Sequence, residues 1–332
     1  MSLRKMNDCR IRIVFILVLL VSTNTTAIEK PLAISGDSII SENKHNMIRI
    51  PAGEAIVGSN KKENLNKGKD FGNVKAWYLD EHPQRKVKID AFWIDKYEVS
   101  NEQYREYYKA VNVNIPDSWM EKGYVLSLQM KKLQSASVAD LRKLAVQVFK
   151  LDLDTRKMSK PQLLDAMEKH MQVFDKVPVN YVSWFDAYGF CQWRGKRLPN
   201  EVEWERVARG LEGREFPWGN EWKPGMSHTG EEEWESGAAP VGSYNTDKTA
   251  EGVMDLAGNL SEWTNDWYQA YPGSDYKTAD FGEKFKVARG AGWSGATGHY
   301  ALKLFQRGAY RNNLDPEKTY DDVGFRCAVS EN

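Results

Sequence analysis

The chain has 332 residues with 46 basic and 46 acidic side chains, so it carries no formal net charge and offers no electrostatic case for nucleic acid as its main partner. That length allows one large domain or two modest ones. Twelve tryptophans and 25 glycines point to a loop-rich fold with aromatic packing and away from a helical bundle.

Residues 1–27 read as a secretory signal. Arg4, Lys5 and Arg10 form a basic start, and "IRIVFILVLLVS" is apolar but too short to span a membrane. Thr25 and Ala27 supply the small residues of a cleavage site; an uncleaved N-terminal anchor is the alternative, and it would be the chain's sole tie to a membrane. Cys9 would leave with the signal. Residues 28–45 are polar and irregular, as in a linker. "MIRIPAGEAIVGS" then reads as strand and turn, and "RKVKIDAFWIDKYEVS" as a second strand region with Val87, Ile89 and Ala91 on one face. Ser100 and Gln103 make a capping box that opens a helix.

Across 116–176 glycine almost vanishes and helix formers dominate. Ser137 caps a helix with Val138, Leu141, Leu144, Ala145 and Val148 at helical spacing. Ser159 caps a second, with Pro161 in its first turn and Leu163, Leu164 and Met167 as its face. Two short amphipathic helices with an extended link resemble the SAP motif, which often binds nucleic acid in cytosolic proteins. Here the local charge is only mildly basic and the chain is exported, so an inserted helical hairpin is expected, with partner docking as the further reading. Beyond it, Ser183 with Asp186 and Asn200 with Glu203 cap two more helices. The first carries Trp184, Ala187, Tyr188 and Cys191 on one face; the second is expected to bury Val207 and Ala208. From 211 onward the chain is glycine-rich loop without a fixed-period repeat.

The mature chain keeps Cys191 and Cys327, an even pair in an oxidising compartment, which reads most simply as one disulfide; two separate buried thiols are the alternative. G-x-S-x-G, P-loop and H-E-x-x-H patterns are absent, and the glycine clusters lack the strand–helix context of a nucleotide site.

The ordered series "MIRIPAGEAIVGS", "DEHPQRKVKIDAFWIDKYEVSNEQY", "VPVNYVSWFDAYGFCQWRGKRLPNEVEWERVARG", "FPWGN", "APVGSY", "GVMDLAGNLSEWTNDWY" and "VGFRCA" resembles the formylglycine-generating enzyme, or sulfatase-modifying factor, family. It spans about 47–329, interrupted by the helical insert. The resemblance implies an α+β variant of the C-type lectin-like fold over 46–330, with low regular secondary structure and the SAP-like insertion at 116–176. It implies a Cys191–Cys327 disulfide. It also makes "DLAGNLSE" a calcium loop, with side-chain oxygens from Asp255 and Glu262 and carbonyls from Gly258 and Leu260. Calcium takes six to eight hard oxygens and accepts carbonyls beside carboxylates. A second family calcium site does not carry over, because the acid run 231–233 stands in a different, shorter segment and reads as a solvated loop.

The family's chemistry does not transfer. Its enzymes hold copper between two thiolates, soft donors suited to Cu(I), in the segment after a "GGS[WY]" turn. Here the turn is "GAGW" at 290–293, with Gly292 in place of the serine, and 289–311 contains no cysteine. Copper is therefore not expected. The family's iron-binding sulfoxide synthases use an H-x-x-x-H-x-E pattern, and His45, His82, His170, His228 and His299 do not supply it. Candidate groove residues are Trp293, His299, Arg307 and Arg311, with no confident catalytic residue among them. Arg307 and Arg311 suit either a carboxylate clamp or internal ion pairs. Two functions remain open. One is an exported binding or regulatory module for a peptide or protein partner in the periplasm or extracellular space. The other is a periplasmic enzyme or maturation factor working without the copper cysteines.

Overall fold

The computed structural model describes residues 46–62, 78–111, 113–230, 237–293 and 302–331. The signal at 1–27, the linker, His45, the acid run 231–233 and His299 lie outside the described residues. The chain divides into two compact units, one formed by Asp117–Asp175 and the other by the segments on either side, up to Pro116 and from Lys176 onward.

Among the described residues the larger unit carries nine short strands. They are β1 (Met47–Ile50), β2 (Gly53–Val57), β3 (Arg85–Ile89), β4 (Phe92–Asp95), β5 (Ser261–Trp267), β6 (Lys286–Arg289), β7 (Asn312–Leu314), β8 (Val323–Gly324) and β9 (Ala328–Ser330). β4 lies between β1 and β9, joining the two ends of the domain in one antiparallel sheet. β2 pairs with β3 antiparallel. The third sheet has the order β7-β6-β5-β8, with β8 parallel to β5. The helices of this unit are α1 (Asn101–Val111), α2 (Trp184–Trp193), α3 (Glu201–Arg209) and α4 (Leu302–Phe305).

Period-two patterning places Phe92 and Ile94 inward along β4, and Ile50 joins them from β1. Trp204, Val207 and Ala208 of α3 complete that core, with Val253 and Leu256. Burying each large apolar side chain contributes about 1.5–3 kcal/mol. The caps fall where the sequence places them. Ser100 accepts from Gln103 N–H at 3.4 Å, while its own N–H donates to the Gln103 side chain at 2.9 Å. Complete capping boxes open α2 at Ser183/Asp186 and α3 at Asn200/Glu203. Each cap is worth about 1 kcal/mol.

The four residues that share a face of α2 differ in depth. Tyr188 is exposed, its ring stacked on Trp184 at 5.1 Å, whereas Trp184, Ala187 and Cys191 are buried. The reason is angular: Tyr188 and Phe185 sit on the outward side of α2, and Phe190 fills the inward position instead. Cys191 and Cys327 form a disulfide with Cα atoms 5.7 Å apart, fixing α2 to the chain just before β9.

Asp117–Asp175 is more than a hairpin. Helices Asp117–Glu121 and Met130–Ser135 precede the two expected helices, Val138–Gln147 and Lys160–Asp175. Leu141, Leu144, Leu163 and Met167 are buried within it. The link between the long helices is pinned by Arg142, which donates to the carbonyls of Thr155 and Met158 at 3.0 and 3.3 Å. No helix among the described residues is long and apolar enough to cross a membrane.

Candidate functional site

Glu201, Glu205 and Arg209 recur at i, i+4 and i+8 along α3, so their side chains share one face. That face is buried, and arginines from 289–311 converge on it. Arg289 donates to Glu201 Oε1 at 2.9 Å and to Glu205 Oε2 at 2.8 Å. Arg311 grips Glu201 through Nε at 2.6 Å and NH2 at 2.9 Å, and also donates to the Asp80 carbonyl at 2.7 Å. Arg307 forms a fork on Glu81 with both distances 2.8 Å, and its Nε pairs with Glu215. Arg307 and Arg311 are only 2% and 1% exposed, which decides between the two readings of them: they are internal ion pairs, and their guanidinium forks face protein carboxylates. As groove residues open to a peptide carboxylate they are corrected. Burial opposes ionisation of Glu201, but Arg311 and Arg289 outweigh it and hold its carboxyl below the ordinary range.

Trp293 sits at the start of the same segment, half-buried. Its indole N–H donates to the Asp321 carbonyl at 3.2 Å, and its main-chain N–H to Asn259 at 2.8 Å. The change from serine to Gly292 has a steric counterpart: a Cβ there would lie 2.6 Å from an Asp322 carboxylate oxygen and 2.7 Å from its carbonyl. The Asp322 backbone occupies the space a serine would need. An open hollow of about 560 Å³ lies against the 3-10 turn Leu79–Glu81, with Lys62, His82, Asp275 and Lys277 among its lining.

The loop 255–262 runs into β5. Asp255 and Asn259 both adopt positive φ, 61° and 71°, which turns successive peptide planes and sets the carbonyls of the loop. Gly258 is required by close approach, because a Cβ would lie 2.4 Å from the His228 carbonyl. The carbonyls of Gly258 and Leu260 are buried and accept no hydrogen bond among the described residues. Asp255 Oδ2 accepts from Gly242 N–H at 2.6 Å. Glu262 accepts from Arg326 at 2.7 and 2.6 Å and from the Trp204 indole at 2.8 Å. Glu98 closes the loop from behind, taking Leu260 N–H at 3.0 Å and the Asn259 amide at 2.8 Å.

Glu98, Asp247, Asp255 and Glu262 thus crowd together, all at most 3% exposed, and Arg326 is the guanidinium that acts on them. Burial first, then Asp255 and Glu262, push the Glu98 carboxyl well up, and burial raises Asp255 to about 6. Two unused buried carbonyls beside excess carboxylate fit a hard cation such as calcium. Among the described residues no three carboxylate, imidazole or thiol groups converge as a side-chain ligand set, so a cation here would rely on main-chain oxygens. Glu262 would share oxygens already engaged by Arg326 and Trp204. Sequence reading missed Glu98, Asp247 and Arg326. "DKYEVS" reads as the end of a strand region and "NTDKT" as an ordinary polar connection, and no local spacing ties either to "DLAGNLSE".

Short sheets, capped helices and long packed loops define a protein of the C-type lectin-like fold. The same architecture is seen in PvdO from Pseudomonas aeruginosa (TM-score 0.53, 22% identity, covering 86% of this chain and 94% of that one). It is seen also in Treponema denticola variable protein 1 (TM-score 0.52, 19% identity, 86% and 95%). Within that fold, the chain belongs to the sulfatase-modifying factor enzyme 1-like domain family, whose profile matches residues 38–331. It is 30% identical over 306 residues to the formylglycine-generating enzyme of Bos taurus, covering 85% of this chain and 74% of the relative. It is equally 30% identical over 298 residues to the inactive C-alpha-formylglycine-generating enzyme 2 of Bos taurus, covering 85% and 87%.

Proposed function

We propose that the chain is an exported binding or accessory module of this family, which keeps the scaffold and recognises a peptide or protein partner without copper–thiolate oxidation. The observation that carries this reading is the content of 289–311. It has no cysteine, Cys191 and Cys327 are joined to each other, and its arginines are buried in ion pairs. Cu(I) has no pair of soft donors there. The similarity to a relative described as inactive agrees with this direction. The reading places the mature protein in the periplasm or outside the cell, following the signal at 1–27. Calcium on the loop 255–262 would be structural, through Asp255, Gly258, Leu260 and Glu262.

Incubating the mature protein with copper, oxygen and a peptide carrying the sulfatase cysteine motif, then weighing the peptide, tests the reading. The expected result is an unchanged mass. Conversion of the cysteine would overturn the proposal and favour the enzymatic alternative.

A further inference from the structure

Asp247 lies in the turn before the loop and takes no part in the four-donor set. Its main-chain carbonyl accepts from Asp255 N–H at 3.1 Å, and its Oδ2 accepts from Ala257 N–H at 2.9 Å. Asp247 therefore fixes both ends of the turn that leads into Gly258. The Leu256 N–H also acts on the carboxylate, but the other oxygen, Oδ1, is buried without a hydrogen-bond partner of good geometry, and the residue is 1% exposed. A carboxylate oxygen left so is costly, because nothing replaces the water it lost. The group meets like charge from Asp255, and Arg326 already forms its two-point contact with Glu262. A hydrated cation beside it would satisfy this oxygen. Two carbonyls and two carboxylates leave calcium two to four further positions by its usual coordination number, and waters fill these.

We propose that Asp247 is a positioning residue of the calcium loop: Oδ2 sets the main chain that presents the Gly258 carbonyl, and Oδ1 accepts from a water on the ion. This rests on the calcium reading of 255–262. Asp247 does not touch the ion, in keeping with the lack of a converging set of three side chains. Outer partners of this kind typically change metal affinity by about 10–100-fold.

The test is Asp247→Asn in the full mature chain, with Asp255→Asn as a second variant. Calcium chloride is titrated calorimetrically, and melting is recorded in chelator and in calcium. Asparagine keeps an acceptor for Ala257 N–H and removes the charge. The expected result has opposite signs in the two conditions. In chelator, Asp247→Asn melts at the wild-type temperature or above, because a buried like charge is gone. In calcium, it binds about tenfold or more weakly and loses most of the calcium-induced rise in melting temperature. Unchanged calcium affinity in Asp247→Asn, with the wild type and not Asp255→Asn binding normally, overturns the role of Asp247 and leaves the loop site standing. An equal drop in melting temperature with and without calcium also overturns it, since that is a purely structural loss. Absence of any calcium response in the wild type overturns the loop site itself.

Discussion

Arg311→Met removes the guanidinium from a buried ion pair while keeping a long apolar stem. The wild-type side chain makes two contacts to Glu201, at 2.6 and 2.9 Å, and donates to the carbonyls of Asp80 and Gln269 at 2.7 and 3.0 Å. Removing one member of a buried pair costs about 3–5 kcal/mol, because the partner charge remains in low dielectric. Glu201 keeps Arg289 at 2.9 Å, so the lower end of that range, about 3 kcal/mol, is expected. For a domain of this size that is a fall in melting temperature of about 6–12 °C. The assay is thermal and urea unfolding of the mature protein from pH 3 to 8. Glu201 is held below the ordinary carboxylate range, so its share of stability is present at neutral pH. That share is lost as pH falls below the ordinary range and through the folded-state value. The wild-type-minus-variant difference should therefore shrink in acid. Arg311→Lys should recover only part of the loss, since an ammonium cannot form the fork. Unchanged stability in Arg311→Met, with loss of a bound peptide instead, would refute the argument and restore Arg311 to a groove role.

Gly292→Ser restores the family's residue and should destabilise by about 1–3 kcal/mol, read as a lower urea midpoint, because the new Cβ meets Asp322 at 2.6 Å. A neutral result would mean that the Asp322 backbone gives way freely. Replacing both Cys191 and Cys327 by serine opens a loop with a sequence separation of 136 residues. The chain-entropy estimate for that loop is about 5 kcal/mol, an upper figure, so the variant should melt far lower under non-reducing conditions. Equal stability would count against that loop-closure account. Lys286 lies 3.9 Å from the ring centroids of both Trp184 and Trp267, and burial lowers its ammonium to about 8 against the upward pull of Asp266 and Glu283. Because the folded value is below the unfolded one, this group's contribution to stability should rise from pH about 8 to 10. An NMR titration midpoint near the ordinary lysine value would show instead that the two rings hold the cation.

Local rules made much of the fold legible. Ser100, Ser137, Ser183 and Asn200 cap helices because their side-chain oxygens sit within three residues of the N–H groups they serve. The family motifs located the disulfide and the fold. Tyr188 stacks on Trp184, as a shared face requires, yet it is exposed, because helical spacing assigns a face without saying how wide the buried stripe is. Arg307 and Arg311 could not be decided from sequence, since an arginine near a groove and one inside a core look alike until its carboxylate is found; Glu81 is 226 residues from Arg307. Glu98 and Asp247 were invisible for the same reason. Their chemistry comes from three-dimensional crowding with residues 162 and 10 positions away, Leu260 and Ala257, and from burial.

The reach of these ion pairs bears on the order of assembly. Glu81 waits for Arg307, Glu201 for Arg311 110 residues on, and Glu262 for Arg326 64 residues on. β4 receives β9 from the far end of the chain. During synthesis, nearly the whole domain must therefore be made before its interior charges find their partners. Until then those carboxylates stay hydrated, and hydrated charge keeps a growing chain soluble and loosely folded. Arg326, Cys327 and β9 supply the partners for which Glu262, Cys191 and β4 wait.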